Sequence, residues 1–363
     1  MIGWLAINNI VTAILSIALC NVPLAFPKQI SQSGHVGGHK VLRIYSEKQG
    51  GQNTTFAQVI FQDGSGAYWI GGWHGVSRYD ERQGRWQGFP DDPGGRVGKD
   101  VSMIGESKGN KLWFAASLMW AVPGPDLRIL DGNNWQRIDD RSDHAVLISS
   151  ITAMFQGRDG KLWFGTGNSL TACDGQNWTS PLEVSKEINI NRPLIIRAGY
   201  QDSTMCLWLG TTKGVVRFDV SKNEWRTYPE LNNSFVNCLY EDQLGRIWAA
   251  DSEGRVYVRN KTKDNWATYN LLEHLPSNLV RSLPTAPSRK PLFTVRGMCR
   301  DRSGRMFFPT RAGLLTFVES EEKWELLTSI NSALPDNHIT TIFEDRIGRI
   351  WIGTGKGIVV LEP

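Results

Sequence analysis

Histidine and cysteine are scarce, six and five in 363 residues. No H-E-x-x-H helix and no G-x-x-x-x-G-K-[ST] loop occurs, which removes the simplest zinc-hydrolase and nucleotide-binding readings. Cys173, Cys206, Cys238 and Cys299 form no C-x-x-C pair, so they are expected as buried free thiols rather than as two disulfides. His35 and His39 stand four apart with no carboxylate or thiol beside them, and neither a metal nor a cofactor is expected there. A strong charge bias is also missing: 40 basic and 36 acidic residues are interspersed, for a formal net charge of +4, so no nucleic-acid partner is expected. Charge is absent altogether from the first 27 residues, where Ile10 to Leu19 is an apolar core of signal-peptide length. The expectation is a signal peptide over residues 1–25 ending near Ala25, or else an uncleaved anchor, and then a Ser- and Gly-rich linker over 26–41. Either places the remainder in the periplasm or outside the cell.

Tryptophan is plentiful, and its placement is periodic. Trp69, Trp113, Trp163, Trp208, Trp248, Phe307 and Trp351 recur in a D-x-x-G-x-x-W-x-G setting, at spacings of 44, 50, 45, 40, 59 and 44 residues. Asp63, Asp202, Asp242, Asp301 and Asp345 lie six before their anchors, and Gly66, Gly160, Gly245, Gly304 and Gly348 lie three before, which marks a tight turn. An aromatic and β-branched strand follows, as in Ile350 to Thr354, with a small residue two after the anchor where sheets must approach closely. A second turn at Gly75, Gly214, Gly254, Gly313 or Gly357 leads into a short apolar strand. Another tryptophan then starts an outer strand: Trp86, Trp135, Trp178, Trp225, Trp266 and Trp324. With the strand before each Asp turn, every unit holds four antiparallel strands. Four strands of about five residues with their turns occupy about 40 residues, close to the observed period. The fold class is therefore all-β, a seven-bladed β-propeller of four-stranded blades over residues 42–363.

Residues after Trp351 are too few to repeat the outer strand of the other units. Leu42, Arg43, Ile44 and Tyr45 copy the outer-strand pattern of Trp225 to Tyr228 with Leu in place of Trp. A strand near 42–45 is thus expected to complete the seventh sheet and close the ring.

These units resemble the two-component regulator propeller repeat. The last one carries the likeness best, from Leu334, Pro335, Asp336 and Asn337 through Ile339, Ile342, Asp345, Gly348, Trp351, Gly353 and Thr354 to Gly357, and the units at Trp208 and Trp248 follow. The resemblance implies an extracytoplasmic sensor region similar to those of hybrid two-component histidine kinases, signalling through a membrane kinase. No kinase motif occurs in this sequence.

Catalysis has little to stand on, because the prominent carboxylates recur with the repeat and are turn-formers first. A ligand site is expected where the repeat varies, on the face carrying the turns after the tryptophan strands. Trp73, His74, Lys213, Arg311 and Lys356 occupy those turns, and Trp120 lies in an insertion between Ser117 and Asp126. An aromatic beside cationic side chains suits a small molecule or oligosaccharide, namely a sugar, an acidic oligosaccharide or an aromatic ligand. A second insertion over Leu271 to Pro291 is expected to shape the same mouth. Two other classes remain open. One is a lyase or hydrolase similar to streptogramin lyases, for which His74, His274 and His338 are the candidate histidines. The other is a protein-interaction platform, for which a separate membrane histidine kinase or another protein would be the partner.

Overall fold

A computed structural model describes residues 34–46, 54–73, 75–89, 100–116, 127–138, 151–190, 194–275, 277, 295 and 297–363. Six four-stranded sheets and one five-stranded sheet succeed one another along the chain. The first strand of one sheet touches the first strand of the next at six of the seven junctions, including that from the last sheet to the first, and at the junction between the Trp248 and Phe307 sheets a shared apolar cluster makes the contact. The molecule is a seven-bladed β-propeller with these strands innermost. Blades are numbered 1 to 7 from Trp69 to Trp351. Blade 4 shows the plan, with Ile196–Gln201, Leu207–Thr211, Gly214–Asp219 and Glu224–Thr227 running in sequence order from the axis outward. The tryptophan strand is second in each blade, and the core is a set of apolar clusters between adjacent blades.

Each Asp turn does more than reverse the chain. Asp63 Oδ1 accepts from the amides of Ser65 and Ala67 at 2.9 and 3.0 Å, while Oδ2 accepts the indole N–H of Trp69 at 2.7 Å. The same indole-to-carboxylate bond recurs at Trp208–Asp202, Trp248–Asp242 and Trp351–Asp345, at 2.7, 2.9 and 3.0 Å. A buried indole N–H needs an acceptor, so turn and core anchor are one unit. The small residue two after the anchor answers to contact between blades. A β-carbon on Gly71 would meet the Val101 carbonyl of blade 2 at 2.7 Å, and one on Gly210 would meet that of Val236 at 2.9 Å. In blade 6 that slot holds Pro309, which has no N–H for an inner neighbour, and the inner strand shortens to Cys299–Arg300.

Closure occurs as expected, with a corrected extent. The strand His39–Tyr45 pairs antiparallel with Gly357–Leu361, Tyr45 opposite Ile358 and Val41 opposite Leu361. Leu42 does not stand in for the missing tryptophan: the register shifts there, and Leu42 is 37% exposed. Tyr45 is the residue that matters, stacked on Trp351 with centroids 6.0 Å apart as Tyr228 stacks on Trp208 at 5.8 Å. A further strand, His35–Val36, folds back on the closing strand, so the part of the expected linker from His35 to Val41 belongs to the sheet. Val36 and Val41 explain the difference, being apolar and buried among the glycines. The expected signal segment 1–25 lies outside the described residues.

Cys173, Cys206, Cys238 and Cys299 are buried and unbridged. Desolvation pushes the Cys238 thiol up to about 12, so it behaves as a small apolar side chain.

Candidate functional site

The inner strands converge on a cavity of about 560 Å³ at the centre of one face. One position per blade, eleven residues before the anchor, supplies its wall: Gln58, Ser102, Thr152, Arg197, Asn237 and Thr340 all line it. The remaining residue at this offset, Arg296, lies outside the described residues. In four blades the strand register slips at this position, between Val101 and Met103, Ile196 and Ala198, Val236 and Cys238, and Ile339 and Thr341. Each slip is a β-bulge whose extra residue escapes the ladder and turns its side chain towards the axis.

These side chains are poorly satisfied by the protein. Ser102 Oγ, Asn237 Nδ2 and Thr340 Oγ1 are buried without a hydrogen-bond partner among the described residues. Thr152 is an exception, its hydroxyl donating to the Ile196 carbonyl at 2.5 Å. Arg197 Nε donates to Asn237 Oδ1, which leaves the Asn237 amide nitrogen turned away as a donor. Arg197 is open to the cavity, yet the surrounding protein displaces solvent and pushes its pKa below the ordinary guanidinium value. Among the described residues neither Arg197 nor Arg311 has a carboxylate partner, and the acidic side chain on the wall is Asp100. An unpaired buried polar group costs roughly 1–3 kcal/mol, so these three atoms favour a polar guest that reaches them.

The rim adds an aromatic platform. Trp73 is 53% exposed, and Phe56 stacks on it at 5.2 Å with planes 4° apart. His338 meets the other ring edge-on at 5.4 Å from Phe56. Phe56 holds a positive φ of 53°, a strained conformation for an aromatic residue at the head of blade 1.

Of the turn residues expected in the site, Trp73 and Arg311 line the cavity together. Both lie four after their anchors. Lys213 and Lys356 lie five after, and neither reaches the wall; their amides bond to Thr211 and Thr354 hydroxyls at 2.9 and 3.1 Å within their own turns. His74 and Trp120 fall outside the described residues, as does most of the second insertion. The start of that insertion is core rather than mouth, since Leu271 and Leu275 are buried between blades 5 and 6. His274 stacks on Trp324 at 4.6 Å and leaves His338 as the described histidine at the cavity. No G-x-S-x-G nucleophile elbow was expected, and although Gly105 to Gly109 spell that string, Ser107 takes the place of the turn Asp and accepts the Trp113 indole N–H at 2.9 Å. The inner-strand wall itself was missed in the sequence, although all seven positions at that offset are polar.

The two component regulator propeller family matches residues 146–168, 230–253 and 333–356, which are the units at Trp163, Trp248 and Trp351. The Trp248 and Trp351 units are as the resemblance suggested, and Trp163 stands where Trp208 was expected. No curated protein matches the sequence. Among solved structures, the chain is similar to the extracellular domain of the hybrid two-component system BT4673 from B. thetaiotaomicron, at 19% identity and a TM-score of 0.63, covering 85% of this chain and 38% of that one. It is also similar to virginiamycin B lyase from Staphylococcus aureus, solved with quinupristin, at 11% identity and a TM-score of 0.62, covering 88% and 97%. A third likeness is to YCF48 bound to D1 peptide, at 13% identity and a TM-score of 0.59, covering 93% and 97%. At these identities the likeness is one of fold.

Proposed function

We propose that this chain, a seven-bladed ring carrying two-component regulator propeller repeats, is a non-catalytic sensor that binds a small polar ligand outside the cytoplasm. The observation that carries this reading is that Ser102 Oγ, Asn237 Nδ2 and Thr340 Oγ1 have no partner among the described residues around one cavity, beside the Arg197 guanidinium, which has no carboxylate partner among them. Donors outnumber acceptors there, and a flat aromatic pair stands at the rim. A polyhydroxylated acid meets both demands: its carboxylate takes Arg197 and Arg311, its hydroxyls take the bulge residues, and its ring lies on Trp73. An acidic sugar or short acidic oligosaccharide is the ligand class proposed. The uncharged apolar N-terminus supports export, and the extracellular domain of a hybrid two-component system among the similar structures is in keeping with it. Among the described residues no helix is long and apolar enough to cross a membrane, so signalling would pass to a partner or to a segment outside them.

Calorimetric titration with uronic acids and with the matching neutral sugars tests this. Binding of the acids, weakened about tenfold or more by Arg197→Ala, is expected from the loss of one charge-assisted contact. Equal binding of both sugar types, or none, would overturn it. His338 on the cavity wall keeps a lyase reading in view; divalent-dependent turnover of a bound ligand would replace the sensor with that enzyme.

A further inference from the structure

Blade 3 departs twice from the plan of blades 1, 4 and 7, and both departures fall around one side chain. The first is at the turn. Gly157 occupies the slot six before Trp163 where Asp63, Asp202, Asp242 and Asp345 supply the carboxylate for the anchor indole. Trp163 is 6% exposed, and its Nε1 has no hydrogen-bond partner among the described residues. The second is at the outer strand. Phe89, Tyr228 and Tyr45 stack on their anchors at 5.4, 5.8 and 6.0 Å. Phe89 and Tyr228 stand three after the outer tryptophan; three after Trp178 stands Pro181. The outer strand accordingly reduces to an isolated bridge at Trp178 and the pair Leu182–Glu183.

The result is an open cleft of about 410 Å³ between blades 3 and 4, lined by Trp163, Leu182, Met205 and Phe218 among others. That volume lies in the range of small-molecule sites, about 300–1,000 Å³. Met205 and Val220 stand at its edge, 43% and 44% exposed. It is separate from the central cavity, with which it shares no lining residue.

We propose that this cleft binds a small phenol, whose ring replaces the missing outer-strand aromatic and whose hydroxyl replaces the missing turn carboxylate. Local chemistry selects a hydroxyl over a carboxylate. Trp163, Asp159 and Gln201 all line the cleft, and a β-carbon on Gly157 would lie 3.0 Å from Trp163 Nε1, 2.6 Å from Asp159 Oδ1 and 2.9 Å from Gln201 Oε1, so one donor and two acceptors meet beside the glycine at the cleft wall. Asp159 Oδ1 accepts from the Lys161 amide and Gln201 Oε1 from the Arg158 amide, and each keeps a second lone pair. A phenolic hydroxyl accepts from the indole and donates to either oxygen. A carboxylate would set one anion against another at Asp159. The apolar walls from Leu182, Met205 and Phe218 receive the ring.

Titration calorimetry with p-cresol and toluene, backed by saturation-transfer NMR, tests the assignment on the intact chain. The wild type is expected to bind p-cresol about tenfold more tightly than toluene, the discrimination of one hydrogen bond to a buried donor. Gly157→Asp with Asp159→Ser copies Asp63 and Ser65; it is expected to raise the melting temperature and abolish p-cresol binding. Trp163→Phe, a change whose counterpart the fold already accepts at Phe307, should erase the preference for p-cresol and remains informative if the double variant fails to fold. Arg197→Ala should leave p-cresol binding unchanged. Absence of p-cresol binding by the wild type, or equal affinity in the wild type and Trp163→Phe, would overturn the proposal.

Discussion

His39 Nε2 lies 2.8 Å from Asp301 Oδ2, joining the ring-closing strand to the turn of blade 6. Blade 6 is the blade whose anchor is Phe307, so its turn carboxylate has no indole to serve. His39 arrives from 262 residues away to fill that role, its ring 5.9 Å from Phe307. The exchange has a side effect. In blades 5 and 7, Arg246 and Arg349 donate Nε to the same carboxylate oxygen at 2.8 and 2.7 Å. Arg305, in the equivalent place, leaves its Nε buried and without a partner among the described residues.

Closure should therefore depend on pH. The bond to Asp301 raises the His39 pKa above 6.5, against burial and the charge of Arg305. A raised pKa means that the stabilisation is complete below pH 6.5 and is lost as pH rises through the folded-state value. Asp301 titrates on the other side. Burial disfavours its charge, but bonds from His39, Ser303 and the Arg305 amide outweigh that and lower its pKa from 3.8, so its contribution is lost as pH falls through the lowered value. The backbone carbonyl of Glu362 accepts from His39 Nδ1, and the Lys40–Glu362 ion pair lies nearby but is exposed. Melting temperature should fall between pH 5.5 and pH 8.5 in the wild type, and His39→Ala should reduce that fall while losing about 1–2 kcal/mol at pH 5.5. Circular dichroism melts at the two pH values decide it; an undiminished fall in His39→Ala would place the pH dependence elsewhere.

Tyr45 carries the packing half of the same closure. It is 3% exposed and touches Tyr79, Trp86 and Trp351 at 5.2, 5.4 and 6.0 Å, bridging blade 7 to blade 1. Tyr45→Ala should cost about 3–5 kcal/mol, as for other buried aromatics. Removal of residues 1–46 should cost more, because Gly357–Leu361 then loses its whole partner strand and its edge opens. Chemical denaturation of both variants checks the order of effects.

How far the sequence revealed this arrangement depends on what kind of signal each part left. Period, turn and anchor recur with the same residue types, and from them both the ring and its closure could be read. Tyr45 was legible as a match to Tyr228, whereas Leu42 was misassigned because a bulge cannot be seen in a string of four residues. The site wall repeats in place but not in identity. Gln58, Ser102, Thr152, Arg197, Asn237 and Thr340 share nothing but polarity, and at Ser102, Arg197, Asn237 and Thr340 a bulge rather than a motif turns the side chain inward. Trp73 and Lys213 looked equivalent as turn residues, yet one step along a tight turn swings a side chain from the axis to the outside. The His39–Asp301 bond left no local trace, since it needs a Phe at 307 and a strand from the far end of the chain.

Glu81 is a second ring-closing group, and it should govern the acid limit. Arg349 grips it through two bonds of 2.7 Å, and Arg43 of the closing strand adds one of 2.8 Å. The bonds from Arg349 lower its pKa from 4.5, with the charges of Arg349 and Arg43 assisting against burial. A lowered pKa gives stabilisation that is complete above pH 4.5 and lost as pH falls through the folded-state value. Glu81→Gln should cost about 1–3 kcal/mol at pH 7, discounted for its partial exposure, and much less at pH 3. Equal cost at both pH values would show that the carboxylate charge is not what holds blades 7 and 1 together.

Thr340 separates function from stability by sign. Its hydroxyl is buried at a bulge and has no partner among the described residues, so a guest that reached it would return its desolvation cost. Thr340→Val keeps the shape and removes that cost, and the melting temperature should hold or rise slightly. Affinity for the cavity ligand should fall at the same time, by about threefold to tenfold for one neutral hydrogen bond. Trp73→Ala offers the companion case: with half of the indole in solvent, its removal should change stability by less than about 0.5 kcal/mol while weakening ligand binding. A purely structural wall would behave in the opposite way, with Thr340→Val neutral in binding and any effect confined to melting. Paired melting and titration measurements on the two variants therefore distinguish a binding cavity from an incidental hollow at the axis of the ring.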